Sequence, residues 1–199
     1  MGILNVTPDS FSDGGHFQAP ETALAHARSM LTDGADILDI GAESTRPGFR
    51  SVPADEEWAR LEPIINRLAP EGVPISVDTT KAVVARKSLQ AGARVINDVW
   101  GFQADPDMAF VVADRGASAV LMHNRHDCDD QLDLLADWRR FFDHSLNLAE
   151  KARVKKDFLI LDPGIGFGKT QDQNVQAVAS LGILRQEYGL PVLLGLSRK

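Results

Sequence analysis

The chain has 199 residues, 44% of them hydrophobic and 25% charged, enough apolar material for one sizeable core in an ordinary globular protein. Its 28 acidic against 21 basic side chains give a formal net charge of -7, which argues against a nucleic-acid surface and requires a locally positive pocket for any anionic ligand. One cysteine, Cys128, excludes an intrachain disulfide, and neither an apolar run of about 18 residues nor a signal-peptide pattern is visible, so the expectation is a protein of the reducing cytoplasm with no nucleic-acid or membrane partner.

Along the chain, short β-rich runs alternate with longer segments of helical periodicity, the signature of βαβ units around a parallel sheet. The first run, Met1 to Asn5, is followed by a long polar connection over 6–19 and a helix expected from Pro20 to Asp33, with Ala23, Ala27, Met30 and Leu31 on its inner face. A strand at Asp36 to Gly41 leads through a second long connection, 42–53, to a helix at Ala54 to Leu68. Then come the strand Pro74 to Asp78 with the helix Lys81 to Gln90, and the strand Arg94 to Asp98 with the helix Pro106 to Arg115. The strand Ser118 to Met122 precedes a helix over Leu132 to Arg153; Phe158 to Asp162 precedes Gln173 to Tyr188; and Pro191 to Leu196 reads as a seventh strand. Gly34, Gly92, Gly116 and Gly189 stand where helices should stop. His16, His26, His126 and His144 show no metal-ligand spacing and read as surface or loop residues.

Seven strands and six intervening helices, with no linker, imply one α/β domain over 1–199. The simplest architecture is an incomplete TIM (β/α)8 barrel lacking its last helix, strand and helix, because such barrels typically need about 250 residues. An open doubly wound sheet is the competing arrangement. In a barrel the active site lies at the C-terminal ends of the strands, and those ends are polar here: Asn5, Glu43 with 44–46, Asp78, Asn97 with Asp98, His123, Asp162, and Ser197 with Lys199. Any one of them could simply cap a helix, but together they suit a flat heterocycle with N–H donors beside ring nitrogens and a carbonyl. The run Leu161 to Thr170 ends in Gly-Lys-Thr like a P-loop, yet the position that motif reserves for its first glycine is Pro163, so a ligand-facing glycine loop is expected instead.

Six motifs, Asn5-Val-Thr-Pro-Asp-Ser-Phe-Ser-Asp-Gly-Gly15, Gly41-Ala-Glu-Ser-Thr-Arg-Pro-Gly48, Val77-Asp-Thr-Thr-Lys81, Ile96-Asn-Asp98, Asp162-Pro-Gly-Ile-Gly-Phe-Gly-Lys169 and Gly195-Leu-Ser-Arg-Lys199, resemble the dihydropteroate synthases across the whole chain. The first two separate that family from methyltetrahydrofolate-dependent methyltransferase domains, which share the barrel and its pterin pocket. The resemblance implies a folate-pathway transferase, the class targeted by sulfonamides. It would join 6-hydroxymethyl-7,8-dihydropterin diphosphate to 4-aminobenzoate, releasing diphosphate and 7,8-dihydropteroate. It also implies pterin contacts from Asp78, Asn97, Met122, Asp162 and Lys199. Diphosphate and 4-aminobenzoate contacts would come from Thr45, Arg46, Pro47, Phe11, Phe167 and Ser197. Mg2+ would be held at Asn5, arriving with the diphosphate that supplies its other oxygens. Asp13, Arg46 and Lys199 would be catalytic, with Asp13 stabilising a cationic pterin methylene. The family continues past a position like Lys199 with a helix and a strand bearing Arg-x-His, and its members are commonly homodimers. The further expectations are therefore truncation at the C-terminus and at the N-terminus, poor stability of the 199-residue chain, and, as alternative readings, an inactive pterin-binding fragment or a methyltetrahydrofolate-dependent methyltransferase domain.

Overall fold

The computed structural model describes residues 1–7, 15–43 and 51–196, except for the side chains of 15–19. These residues form two compact units, Met1–Asn97 and Asp98–Lys199.

The first unit is built of β1 (Gly2–Asn5), α1 (Gly15–Thr32), β2 (Leu38–Gly41), α2 (Ala54–Leu68), β3 (Ile75–Asp78), α3 (Ala82–Gln90) and β4 (Val95–Asp98), whose last residue opens the second unit. Adjacent strands pair in parallel and in chain order, with Asn5 opposite Gly41, Gly41 opposite Asp78, and Asp78 opposite Asn97. All four β2 residues are buried, as expected of a strand covered on both faces. Leu38, Ile40, Ile75, Val77 and Ile96 from the strands, with Leu24, Leu61, Ile64, Ile65 and Leu68 from α1 and α2, are fully buried. Each such side chain contributes roughly 1.5–3 kcal/mol of transfer free energy.

The second unit contains α4 (Met108–Arg115), β5 (Ser118–Met122), α5 (Leu134–Lys151), β6 (Leu159–Asp162), α6 (Gln171–Ala179) and α7 (Leu181–Tyr188). β5 and β6 pair in parallel with Met122 opposite Asp162. Val111, Val112, Leu121, Trp138, Phe142, Leu161 and Leu184 form its buried core. Asp133 caps α5 by accepting from the N–H groups of Leu135 and Ala136, and Thr170 with Gln173 forms a complete capping box on α6.

Most elements lie within one or two residues of the sequence reading, and three differ. α1 starts at Gly15 and continues through Pro20, which the sequence reading took as its first residue. In the second turn this proline costs the helix one N–H donor without stopping it. The last helix is two, because Ser180 leaves helical geometry at φ −99, ψ 6, and its start moves to Gln171 because Gln173 is the third residue of the capping box. The expected strand Pro191 to Leu196 is reduced, among the described residues, to one parallel bridge between Val192 and Leu161. Pro191, which has no N–H, takes part through its carbonyl alone. The glycine stops hold: Gly116 and Gly189 adopt left-handed geometry at φ 58 and 64, and Gly34 and Gly92 also have positive φ.

Candidate ligand-binding residues at the strand ends

In the first unit the strand register sets the geometry. Asn5, Gly41, Asp78 and Asn97 form one row across β1 to β4, so their Cα–Cβ directions point to the same side of the sheet. Gly41 leaves that row open between two oxygens: a Cβ there would lie 3.5 Å from Asp78 Oδ2 and 3.7 Å from Asn5 Oδ1. Asn5 is exposed, and Asp78 and Asn97 are half-buried.

Two residues back along the strands lies a row that the sequence reading passed over. Asp39 on β2 is opposite Ser76 on β3. Ser76 Oγ donates to Asp39 Oδ1 at 2.6 Å, and Asn97 Nδ2 donates to Asp39 Oδ2 at 2.9 Å. Burial pushes the Asp39 carboxyl up, partly offset by these two hydrogen bonds, which favour its charged form. Asn97 Oδ1 is buried and has no hydrogen-bond partner among the described residues. An aspartate inside the apolar run Ile37 to Ile40 was the available signal, but its partner on β4 is 58 residues away.

Glu43, the last described residue before 44–50, accepts from the Val52 N–H at 3.1 Å, and Lys81 Nζ pairs with both Glu43 and the fully buried Glu57. Burial alone would lower the Lys81 pKa. The two carboxylates outweigh it and raise the value. The ends of the segment carrying Thr45, Arg46 and Pro47 are therefore tied to β3's C-terminal turn.

In the second unit, Met122 and Asp162 are register partners and both are buried. Asp162 Oδ1 accepts from the Gly164 N–H at 2.7 Å, opening the glycine loop that carries Phe167, itself half-buried. Gly164, with φ 67, packs so closely that a Cβ would lie 1.9 Å from the His123 carbonyl oxygen. Lys169 turns inward: its Nζ donates to the carbonyls of Gly164 at 2.8 Å and Phe167 at 3.1 Å and approaches His123 Nδ1 at 2.8 Å. His123 Nε2 lies 3.0 Å from Asp137 Oδ2, which assigns the ring proton to Nε2 and leaves Nδ1 to accept from Lys169. Burial, opposed by Asp137, lowers His123 to about 4, and burial with repulsion from Arg125 lowers Lys169 to about 7. A lysine bonded to its own loop carbonyls is no P-loop lysine, in keeping with the misfit at Pro163.

Asn5, Asp78 and Asn97 thus share one row of the first unit, while Met122 and Asp162 pair at a strand end of the second, with Phe167 in the loop that follows. Phe11, Asp13, Thr45, Arg46, Pro47, Ser197 and Lys199 lie outside the described residues, as do the side chain of His16 and the 44–46 part of the second polar strand end. His26, His126 and His144 are exposed as expected, and His126 stacks near Trp100 at 4.4 Å.

Comparison with known proteins settles the family. The pterin binding enzyme family matches residues 1–199. A dihydropteroate synthase of Bacillus subtilis is 52% identical over 200 residues, covering 100% of this chain and 70% of that protein. One from Clostridium beijerinckii is 48% identical, again over 100% of this chain and 74% of its own. This chain belongs to the pterin binding enzyme family. A Clostridium difficile dihydropteroate synthase, solved in the presence of pteroic acid, superposes with a TM-score of 0.95 at 46% identity, covering 100% of this chain and 76% of that one. The Xanthomonas albilineans enzyme with 4-aminobenzoic acid gives 0.94 at 48%, covering 72% of that chain. The fold is accordingly the α/β barrel class of this family, and the chain spans 70 to 76% of the length of these four relatives. Two details of the sequence reading change: the described residues hold six strands plus one bridge, and seven α-helices. Among the described residues no helix is long and apolar enough to cross a membrane.

Proposed function

We propose that this chain is a dihydropteroate synthase, forming the C–N bond between 6-hydroxymethyl-7,8-dihydropterin diphosphate and 4-aminobenzoate and releasing diphosphate and 7,8-dihydropteroate. The observation that carries the reading is the polar row of β1 to β4, in which Asp78 and the buried acceptor Asn97 Oδ1 stand side by side. Acceptors so placed suit the N–H groups of a pterin. Whole-length identity with dihydropteroate synthases supports the same substrate pair.

In this reading Asp78 and Asn97 accept from pterin N–H groups, and Asp162, already oriented by the Gly164 N–H, presents a second carboxylate. Met122 packs on the ring, and Phe167 lines the 4-aminobenzoate slot. Lys199, Arg46 and Asp13 take their catalytic roles, and Phe11, Thr45, Pro47 and Ser197 their contacts, from the family resemblance alone. Asn5 offers one exposed, neutral, hard oxygen, a donor type that fits Mg2+ when diphosphate oxygens complete the shell. Bound there, magnesium would offset the charge of the departing diphosphate. A cytoplasmic location and a homodimer complete the proposal, both on the family resemblance.

The test is diphosphate release measured with the pterin diphosphate, Mg2+ and 4-aminobenzoate, and again with each omitted. Release requiring all three is expected. Pterin binding without release would instead indicate a pterin-binding fragment or a methyltransferase-type domain.

A further inference from the structure

The amide of Asn97 has two faces, and the structure commits one of them. Its Nδ2 is held by Asp39 Oδ2 at 2.9 Å, while Asp39 Oδ1 is occupied by Ser76 Oγ at 2.6 Å. In its ionised form, which both hydrogen bonds favour, Asp39 only accepts, and the group that Asn97 turns toward it is the NH2. The carbonyl oxygen is thereby left as a buried acceptor with no partner among the described residues, in the row that holds Asp78 and Asn5. A buried, unpaired acceptor is unfavourable until something donates to it. Asp39 is 5% exposed and Ser76 fully buried, so neither is placed to touch a ligand itself.

We infer that Asp39 and Ser76 are positioning residues that lock Asn97 as a pure acceptor, and so select a ligand presenting an N–H, rather than a bare ring nitrogen or carbonyl, at that point. The inference rests on the pterin reading. A dihydropterin offers N–H groups on its rings and its amino substituent, whereas a flippable asparagine would accept either polarity.

The hydrogen-bond polarity makes a sharp test possible. Asp39→Asn keeps the shape but removes one acceptor: its amide can still accept from Ser76 only by turning its NH2 toward Asn97. With Ser76 still donating to the amide oxygen at 39, as it does to Asp39, Asn97 flips and presents its own NH2 to the ligand. The exchange Asp39→Asn with Asn97→Asp restores every pairing, since the amide at 39 donates to the carboxylate at 97, whose second oxygen again accepts from the ligand. Binding of 7,8-dihydropterin, followed by its fluorescence, is the primary readout because it does not need turnover. KM for 4-aminobenzoate, folding by circular dichroism and the Ser76→Ala variant accompany it. Asp39→Asn should weaken dihydropterin binding by about tenfold or more, with KM for 4-aminobenzoate within about twofold, and the exchange should recover most of the loss. Ser76→Ala, which releases one anchor of Asp39, should show a smaller loss of the same kind.

Unchanged affinity in Asp39→Asn, or an exchange variant that folds but binds no better than the single one, overturns the inference. Should Asp39→Asn fail to fold, the exchange variant decides alone: recovered binding supports the lock, and its absence refutes it. Wild-type protein that binds dihydropterin without releasing diphosphate would refute the enzymatic reading and leave this comparison intact.

Discussion

Lys81 shows how much one side chain can carry. It is the cation shared by Glu43 and by Glu57, whose side chain is 0% exposed and whose Oε1 has no partner among the described residues. Coulomb attraction here offsets a desolvation cost already incurred by Glu57, so removing the cation leaves that cost uncompensated. Lys81→Met should therefore destabilise the chain by about 3 kcal/mol in urea denaturation. Adding Glu57→Leu should return most of it, because an apolar pair of similar volume needs no counter-charge. If the single variant loses stability and the double variant loses still more, the ion pair is not the cause. The surface pairs Arg28–Glu71 and Arg139–Glu187 have longer side chains in water, and their loss should cost little.

At the scale of elements, the glycine loop after β6 is held by shape as much as by hydrogen bonds. Gly164 and Gly116 share left-handed backbone, at φ 67 and φ 58, but their surroundings differ. A Cβ at Gly116 meets nothing within 4 Å, whereas at Gly164 it would collide with the His123 carbonyl at 1.9 Å. Gly116→Ala should cost about 1 kcal/mol of backbone strain, and Gly164→Ala distinctly more, together with a loss of pterin affinity because Asp162 loses the N–H that orients it. Urea midpoints and a dihydropterin titration check both, and equal costs would show that packing against His123 does not matter. The loop's strand and its glycines were legible from sequence, since β-rich runs and positive-φ glycines are local signals, and β5 was placed to the residue. The inward turn of Lys169 was not, because it depends on the carbonyl and the ring of His123, 46 residues earlier. The Asp39–Asn97 bond was hidden for the same reason, and the break at Ser180 carries no proline or glycine at the break itself. Asn5, Asp78, Asn97 and Asp162 could be read as strand-end residues because each is the last or next-to-last residue of a strand, and a parallel α/β unit puts the C-terminal ends of its strands together.

Across the molecule, stability against pH should hide two opposed titrations. Burial pushes the Asp98 carboxyl up to about 6, against the Trp100 and Phe102 N–H groups that it accepts. His123 is lowered to about 4. For His123 the native state refuses a proton that the unfolded chain takes up near 6.5, so stability is lost as pH falls from 6.5 to 4, by about 3 kcal/mol. Native Asp98 instead holds a proton that the unfolded chain releases near 3.8, so stability is gained as pH falls from 6 to 3.8, again by about 3 kcal/mol. Between pH 6 and 4 the two nearly cancel. Lys169 adds nothing there, because with a folded value of about 7 it is charged in both states. The difference in unfolding free energy between wild type and His123→Gln should therefore fall on acidification, and that between wild type and Asp98→Asn should rise. Taking differences removes the shared contribution of Asp39, whose raised carboxyl acts in the same sense as Asp98. Urea unfolding at half-unit steps from pH 7 to pH 4 reads both curves. Two flat differences would mean that neither group keeps its buried protonation state, and that the His123–Lys169–Asp137 network admits water when the chain is free of ligand.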